Sequence, residues 1–466
     1  MKKIAIVGAG ISGLATAFEI RKRLQQANLD HELYLFEANG KTGGKIGAAA
    51  RDGFLCEAGP NGFLDSKPST LQLCKELGIA DQLLPSNKAA KRRFIYSRNR
   101  LNEIHANPFR FMASSLLSLP GRMRLIGEIF TTPGDQSVDS SIADFGIRHL
   151  GAEAYARLLD PMIGGVFAGD PAKLSLASCF PRIAELERDY GSLIKAMIKL
   201  AIKRSKAPDK GGGPAGPGGT LTSFRNGLSV LPDAIAKSFQ GRIFCNTLLR
   251  EIHATSSGYR LLFEGSDPLD CDCVIVAVQA ADAARPSRFL DESLANVLER
   301  FEYAPVTVVG LGFDRSAIRH PIDGFGFLVP TEERRKILGS LWSSSIFPFR
   351  APNGRVLLRT MIGGMRSPEL ALLSEHEAIA LVKNELREII GITAEPIFTQ
   401  VFKWAKAICQ YTVGHNARLQ EIDGRLASLP GVFITGNSYK GVSLNDCTLN
   451  AARIGEEVAR YIGSAS

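Results

Sequence analysis

The eight cysteines (Cys56, Cys74, Cys179, Cys245, Cys271, Cys273, Cys409, Cys447) include no CxxC pair and follow no regular spacing. That excludes a disulfide-built scaffold and reads as reduced, cytosolic thiols. Cys271 and Cys273 sit in an apolar run that reads as a strand entering a core rather than a metal site. The seven histidines show no HxxxH or HxH pairing, so zinc hydrolase chemistry is not indicated and no metal is expected. No stretch reaches the roughly 18 uncharged apolar residues that a membrane-spanning helix needs. The longest candidate, Phe111 to Gly121, is bracketed by Arg110 and Arg122, which leaves attachment to a membrane surface open. Internal repeats are also absent.

What is present is globular: 45% hydrophobic and 22% charged residues among 466, enough for two or three domains at about 150 residues each. The net charge of +9 suits an anionic substrate or an anionic lipid surface; no nucleic-acid partner is expected. Lys2-Lys3 before an apolar run imitates a secretory signal, but the glycines inside that run and Glu19 after it favour a strand and a turn.

Ile4 to Val7 reads as a buried parallel strand. Gly8-Ala9-Gly10-Ile11-Ser12-Gly13 follows it and leads into a helix from Ala15 to Leu24. In such a turn Gly8 permits the tight bend, Gly10 lets backbone approach a pyrophosphate, and Gly13 allows close packing of helix on strand. The phosphate sits at the helix N-terminus, where unpaired N–H groups point outward. Gly211, Gly213 and Gly216 match the same spacing but have no strand before them and no helix after. The first match has both, and a second strand, Glu32 to Phe36, ends at Glu37, about where an acidic residue grips a ribose hydroxyl. After Glu37 and Ala38 come a glycine pair with a lysine, Gly43-Gly44-Lys45, and then Gly59-Pro60-Asn61. A nicotinamide dehydrogenase would run on into alternating strands and helices here.

Residues 91 to about 205 read as mostly helical with a basic cast. In the segment from Ser192 to Lys206, Leu193, Met197, Leu200 and Ala201 fall on one helix face, with Lys195, Lys199, Lys203 and Lys206 beside it. It fits an interfacial helix and, equally, a core helix with a solvated basic side. Residues 207–219 are rich in Gly and Pro and read as a mobile loop. Val274 to Val278, containing Ala277, reads as a further buried strand of the first domain. Residues 300–425 hold strand-like runs at Thr307 to Phe313, Gly326 to Val329 and Val356 to Ile362, and a helix from Ser374 to Ile390. The chain then returns with a strand (Val432 to Thr435), a turn at Gly436-Asn437-Ser438 and a helix from about Asn445 to Ile462. The N-terminus of that helix could stabilise negative charge on a reduced cofactor, or the helix could simply close the sheet.

The glycine turn together with Gly43-Gly44 and Gly59-Pro60 resembles the large class of FAD oxidoreductases that includes amine oxidases and phytoene desaturases. The resemblance narrows at Ala89-Ala-Lys-Arg-Arg-Phe-Ile-Tyr96, Gly165-Val-Phe-Ala-Gly-Asp-Pro-Ala-Lys-Leu-Ser175, Asp323-Gly-Phe-Gly-Phe-Leu-Val-Pro330, Phe347-Pro-Phe-Arg-Ala351 and Asn437-Ser-Tyr-Lys-Gly-Val-Ser-Leu-Asn-Asp-Cys447. These resemble the oxygen-dependent protoporphyrinogen oxidases, especially the bacterial form, over essentially the whole chain.

The resemblance implies an α/β fold (α+β overall), with a Rossmann-like FAD-binding domain, a strand-rich substrate domain and a helical, membrane-associated insertion. Its expected segments are 1–90, 220–299 and 426–466 for FAD, 91–206 for the helical part, 207–219 for the loop and 300–425 for substrate. It implies FAD, a porphyrinogen substrate, molecular oxygen as acceptor and peripheral membrane association, with oligomeric state, a homodimer included, left open. By the same resemblance Arg93 meets a substrate propionate, Leu328, Leu341 and Met361 clamp the macrocycle, and the Gly169 backbone faces a pyrrole. Lys45, Gly59, Pro60, Leu249, Asn437, Val442, Ser443 and Leu444 contact flavin. Asn61 replaces an arginine of the mitochondrial forms and Met361 a phenylalanine of the plastid forms. No dedicated general base is assigned, since pyrrole protons can leave to water. The rival readings are coproporphyrinogen III as substrate, a flavin amine oxidase or carotenoid desaturase, and a non-catalytic lipid carrier of the same fold.

Overall fold

A computed structural model describes residues 1–105, 107–205 and 219–464. Lys206 and residues 207–218 of the expected loop lie outside the described residues. The first layer is a five-stranded parallel sheet in the order Arg242–Phe244, His31–Phe36, Lys2–Val7, Cys273–Val276, Val432–Ile434. Its strands come from three distant stretches of chain. Ile4 to Val7 and Cys273 to Val276 in the central strands are buried and apolar because both faces are covered there. On one face the helices Ile11–Gln26 and Leu444–Ser464 bury Leu14, Ile20, Ile454 and Val458 against Ile4 and Ile6. On the other, the antiparallel strands Leu249–Thr255, Gly258–Phe263 and Ser266–Cys271 enclose Ala5, Val7, Val274 and Val276.

The second layer is a seven-stranded mixed sheet: Phe398–Cys409, Tyr303–Asp314, Arg355–Gly363, Gly339–Leu341, Gly326–Leu328, Arg93–Ser97, Arg100–Glu103. The stretch from residue 91 to 205 is mostly helical, as expected, except at its start, where Arg93–Ser97 and Arg100–Glu103 are strands of this sheet. Arg93–Ser97 pairs in parallel with Gly326–Leu328, a partner more than two hundred residues away that no local periodicity reveals. One face of this sheet packs Val309, Leu311 and Leu358 on the helix Glu375–Ile390. The other face carries Gly310 and Gly312, where a Cβ would fall 2.5 Å from the Cys56 sulfur and 2.6 Å from the Phe54 ring. Those two glycines let the strand Phe54–Glu57 nest directly on the sheet, bringing the two layers together.

The helices between residues 108 and 205 form a separate pile around Phe145, Ile163 and Phe167. The helix Leu193–Ser205 forms as expected, and its apolar residues divide between a docked edge and an outward side. Ala196 is buried, with Leu193 and Leu200 half-buried beside it, whereas Met197, Ile198 and Ala201 are exposed. The helix therefore docks through its 193/196/200 edge and turns the rest of its apolar surface outward.

Candidate active site

The turn after the first strand has the geometry its glycines suggest. Gly8 adopts φ +99°, a region open to glycine at little cost. A Cβ on Gly13 would lie 1.9 Å from the Gly8 carbonyl oxygen, so the helix packs on the strand only without one. Ala277 completes this floor, its N–H donating to the Val7 carbonyl at 2.8 Å. Ala9 is buried, Ser12 nearly so, and Ile11 half-buried. Glu37 closes one end. Its buried carboxylate accepts the Ala9 N–H at 2.9 Å and, on the other oxygen, the Asn39 N–H at 3.0 Å and the Asn39 amide at 2.7 Å. The Thr247 N–H donates to the Glu37 carbonyl at 2.8 Å, which anchors the chain leading to buried Leu249, while Ala38 is exposed.

From this turn a run of hydrogen-bonded and closely packed backbone leads toward the second layer. Gly43 donates to the Ala9 carbonyl at 2.8 Å and bridges to Gly10, placing Gly44 against Gly10. A Cβ on Gly10 would meet nothing nearer than the Gly44 Cα at 4.0 Å, so this backbone is open to a close approach. The Lys45 backbone abuts Gly59, where a Cβ would fall 2.2 Å from the Lys45 carbonyl oxygen. The Lys45 ammonium donates to the Ala407 carbonyl at 2.7 Å and lies 6.0 Å from the Tyr303 ring centre; burial lowers its pKa to about 8. The Tyr303 and Ser438 hydroxyls share a 2.8 Å hydrogen bond, and the Tyr411 hydroxyl donates to the Asn437 carbonyl at 2.8 Å. This fixes the turn that follows Gly436.

Beside Pro60, both side-chain amide atoms of Asn61 are buried with no hydrogen-bond partner. An orphaned amide and an open glycine-lined backbone together suit a bound polar planar group and a pyrophosphate, so these residues fit a flavin dinucleotide. Val442 and Leu444 flank Ser443. The Ser443 hydroxyl donates to the Asp446 carboxylate at 2.6 Å and accepts the Asp446 N–H at 3.2 Å, so it caps its own helix.

Strand register gathers the other expected residues. Arg359, Leu341, Gly326 and Arg93 stand opposite one another across four strands, and Met361, Gly339 and Leu328 form the adjoining row two residues along. A step of two returns to the same face of a sheet, so Arg93, Leu328, Leu341 and Met361 share one face. Gly165, in the helix Asp160–Phe167, crosses Leu328 closely, a Cβ there falling 2.5 Å from a Leu328 methyl. Gly169 follows that helix and is buried against Gln410. The Met365 N–H donates to the Ala168 carbonyl at 2.8 Å, which holds this corner over the Met361 strand. Arg93 is exposed, lies 5.1 Å from the Phe325 ring centre, and has no carboxylate partner among the described residues. Its neighbour Arg92 is taken up by Glu103 at 2.9 Å and by Asp323.

Two residues that sequence reading did not single out complete the junction. The Trp404 indole N–H donates to the Ala58 carbonyl at 2.8 Å, and Arg359 donates to the next carbonyl, that of Gly59. The available signal was a lone arginine within the apolar run Val356 to Ile362. Among the described residues no group of three or more His, Cys, Asp or Glu is placed to hold a metal, and no helix is long and apolar enough to cross a membrane.

Comparison with known proteins agrees with this geometry. The chloroplastic protoporphyrinogen oxidase of Nicotiana tabacum is 34% identical over 98% of this chain and 85% of its own length. The coproporphyrinogen III oxidase of Bacillus subtilis is 31% identical over 96% of this chain and 95% of its own. A crystal structure of an Exiguobacterium protein superposes with a TM-score of 0.84 at 24% identity, covering 98% of this chain and 99% of that one. Residues 11–459 match the model of the flavin-containing amine oxidoreductases, and the chain belongs to that family.

Proposed function

We propose that this chain is an FAD-dependent oxidase of protoporphyrinogen IX, acting in haem biosynthesis. The observation that carries the reading is the shared sheet face of Arg93, Leu328, Leu341 and Met361, tied to the Gly59-Pro60-Asn61 segment by Arg359, which stands on the same face and donates to the Gly59 carbonyl. FAD held there would supply a two-electron acceptor for a methylene-bridge hydride, with oxygen as the final acceptor and hydrogen peroxide as its product, and three rounds would account for the six electrons that separate porphyrinogen from porphyrin. The protein's part is placement. Leu328, Leu341 and Met361 offer the flat ring an apolar edge that excludes water, and Gly165, lacking a side chain, lets its helix pack directly on Leu328 at one end of that edge. Arg93 offers an unpaired guanidinium to a propionate. Glu37 and the Gly8–Gly13 turn suit the adenosine and pyrophosphate, and Lys45, Asn61, Leu249 and the residues from Gly436 to Leu444 suit the remainder of FAD.

Neutralisation of Arg92 by Glu103 and Asp323 leaves Arg93 as the free cation of this pair, which favours a substrate with two propionates over one with four. The Bacillus relative supports the second reading, coproporphyrinogen III. Purified protein given each porphyrinogen in air should develop porphyrin fluorescence faster with protoporphyrinogen IX. A preference for the four-propionate substrate would select the second reading, and turnover of neither would end both.

Membrane attachment is part of the proposal. Leu119, Met123 and Ile126 lie on one face of the helix Leu119–Ile126, and Phe130 beyond it is 84% exposed. With Met197, Ile198 and Ile202 exposed on Leu193–Ser205 and Lys195 and Lys199 beside them, this surface suits an anionic bilayer from which an apolar substrate is drawn.

A further inference from the structure

Arg359 is an unusual residue to find where it stands. It is 4% exposed, and Leu357 and Met361 share its sheet face. One terminal nitrogen donates to the Gly59 carbonyl, while Nε is buried without a partner. Among the described residues it has no ion-pair partner. The nearby carboxylate, Glu57, is engaged by Arg350 at 3.1 Å and by the Leu228 N–H at 2.9 Å. Two buried guanidinium groups thus face one carboxylate. Arginine does not shed its proton in a protein, so a fixed positive charge is left directly behind the Gly59–Pro60 segment. A buried unpaired charge is costly, and a structural grip on one carbonyl does not need it, since a neutral donor would serve.

We propose that Arg359 is an electrostatic positioning residue, whose charge favours the electron-rich reduced form of the flavin that lies against Gly59 and Pro60. The proposal rests on the FAD placement given above. Reduction adds negative charge to the ring, and a cation held in a low-dielectric site beside it stabilises that form selectively.

The test is the midpoint potential of the bound flavin, titrated anaerobically against a reference dye with no porphyrinogen present. Arg359→Gln keeps a donor for the Gly59 carbonyl and removes the charge. It should weaken the preference for the reduced form about tenfold, a fall of about 30 mV for a two-electron couple. Arg359→Lys keeps the charge and should stay within about threefold of the parent protein. Loss of flavin from the Gln variant alone would assign the charge to holding the oxidised cofactor and would overturn the proposal. An unchanged potential in the Gln variant, a Lys variant that falls as far as Gln, or loss of flavin from both overturns the proposal and leaves Arg359 a carbonyl clamp. Because substrate is absent from the titration, failure of the porphyrinogen reading shows in the turnover assay, separately from this result.

Discussion

Arg350 and Glu57 form an ion pair 3.1 Å apart with both side chains shut off from solvent. Arg350 also donates to the Ser223 hydroxyl at 3.0 Å and to the Phe224 carbonyl at 3.2 Å, so one guanidinium joins the loop after Phe347, the strand Phe54–Glu57 and the strand Leu221–Phe224. Breaking such a pair leaves an uncompensated buried charge. Arg350→Met should therefore destabilise the protein by about 3–5 kcal/mol, and Arg350→Met with Glu57→Gln together by clearly less. Urea unfolding of the three proteins measures both values.

The floor of the nucleotide turn predicts a second loss. Gly13→Ala puts a methyl group 1.9 Å from the Gly8 carbonyl oxygen, which forces the helix off the strand. The variant should purify with its flavin absorbance largely lost, and added FAD should restore it poorly. Spectroscopy before and after FAD addition reads this directly.

Arg93→Ala removes the exposed cation of the sheet face proposed to receive the substrate. A charge-assisted contact to a propionate is worth about 1.5–3 kcal/mol, so KM should rise roughly tenfold to a hundredfold with a smaller change in kcat. Steady-state porphyrin fluorescence distinguishes this from a fall in kcat alone, which would place Arg93 elsewhere in the mechanism.

Within the helical part, His149 is fully buried between Glu128, at 2.7 Å, and Glu187, at 3.1 Å. Burial opposes its charge, but the hydrogen bonds to the two carboxylates outweigh burial and hold its pKa above the ordinary 6.5. Glu187 is drawn down to about 2 against its own burial, by His149, the Gly134 N–H and Arg148. The stability due to a raised histidine is complete below its unfolded value of 6.5 and disappears as pH climbs through the raised value. The depressed glutamate contributes above its unfolded 4.5 and loses that contribution as pH falls toward 2. Melting temperature should thus decline on the alkaline side of neutrality. His149→Gln should lower it throughout and flatten that decline, as thermal melts across pH 5 to 9 would register.

Membrane attachment predicts a surface phenotype without a catalytic one. Replacing Met123 and Phe130 together with serine should abolish sedimentation with anionic vesicles. Turnover of detergent-dispersed substrate should stay at the parent level. Co-sedimentation equal to that of the parent would remove this face from consideration.

How much of this was legible beforehand differs by region. The turn from Gly8 to Gly13, the strand ending at Glu37 and the C-terminal helix were readable because each is specified by neighbours within a few residues. Arg93 was named by resemblance but set in a helical region, because its strand exists only through pairing with Gly326–Leu328. The helix Leu193–Ser205 was found, but whether its apolar residues face a core or the outside stayed open. Which of two apolar edges docks depends on the neighbouring helices, and local spacing carries no record of them. Arg359 was passed over because an arginine in an apolar run is informative only once its carbonyl partner, 300 positions away, is known.

The sequence alone determined a tight glycine turn between strand and helix, an α/β core and the chemical types of the residues around that turn, since glycine sterics and hydrophobic period act over short separations. Only the tertiary structure decided that four strands align Arg93, Leu341, Leu328 and Met361 on one face and that a buried cation stands behind Gly59. Register between distant strands is set by packing of whole layers, and burial makes a charge consequential only after those layers close.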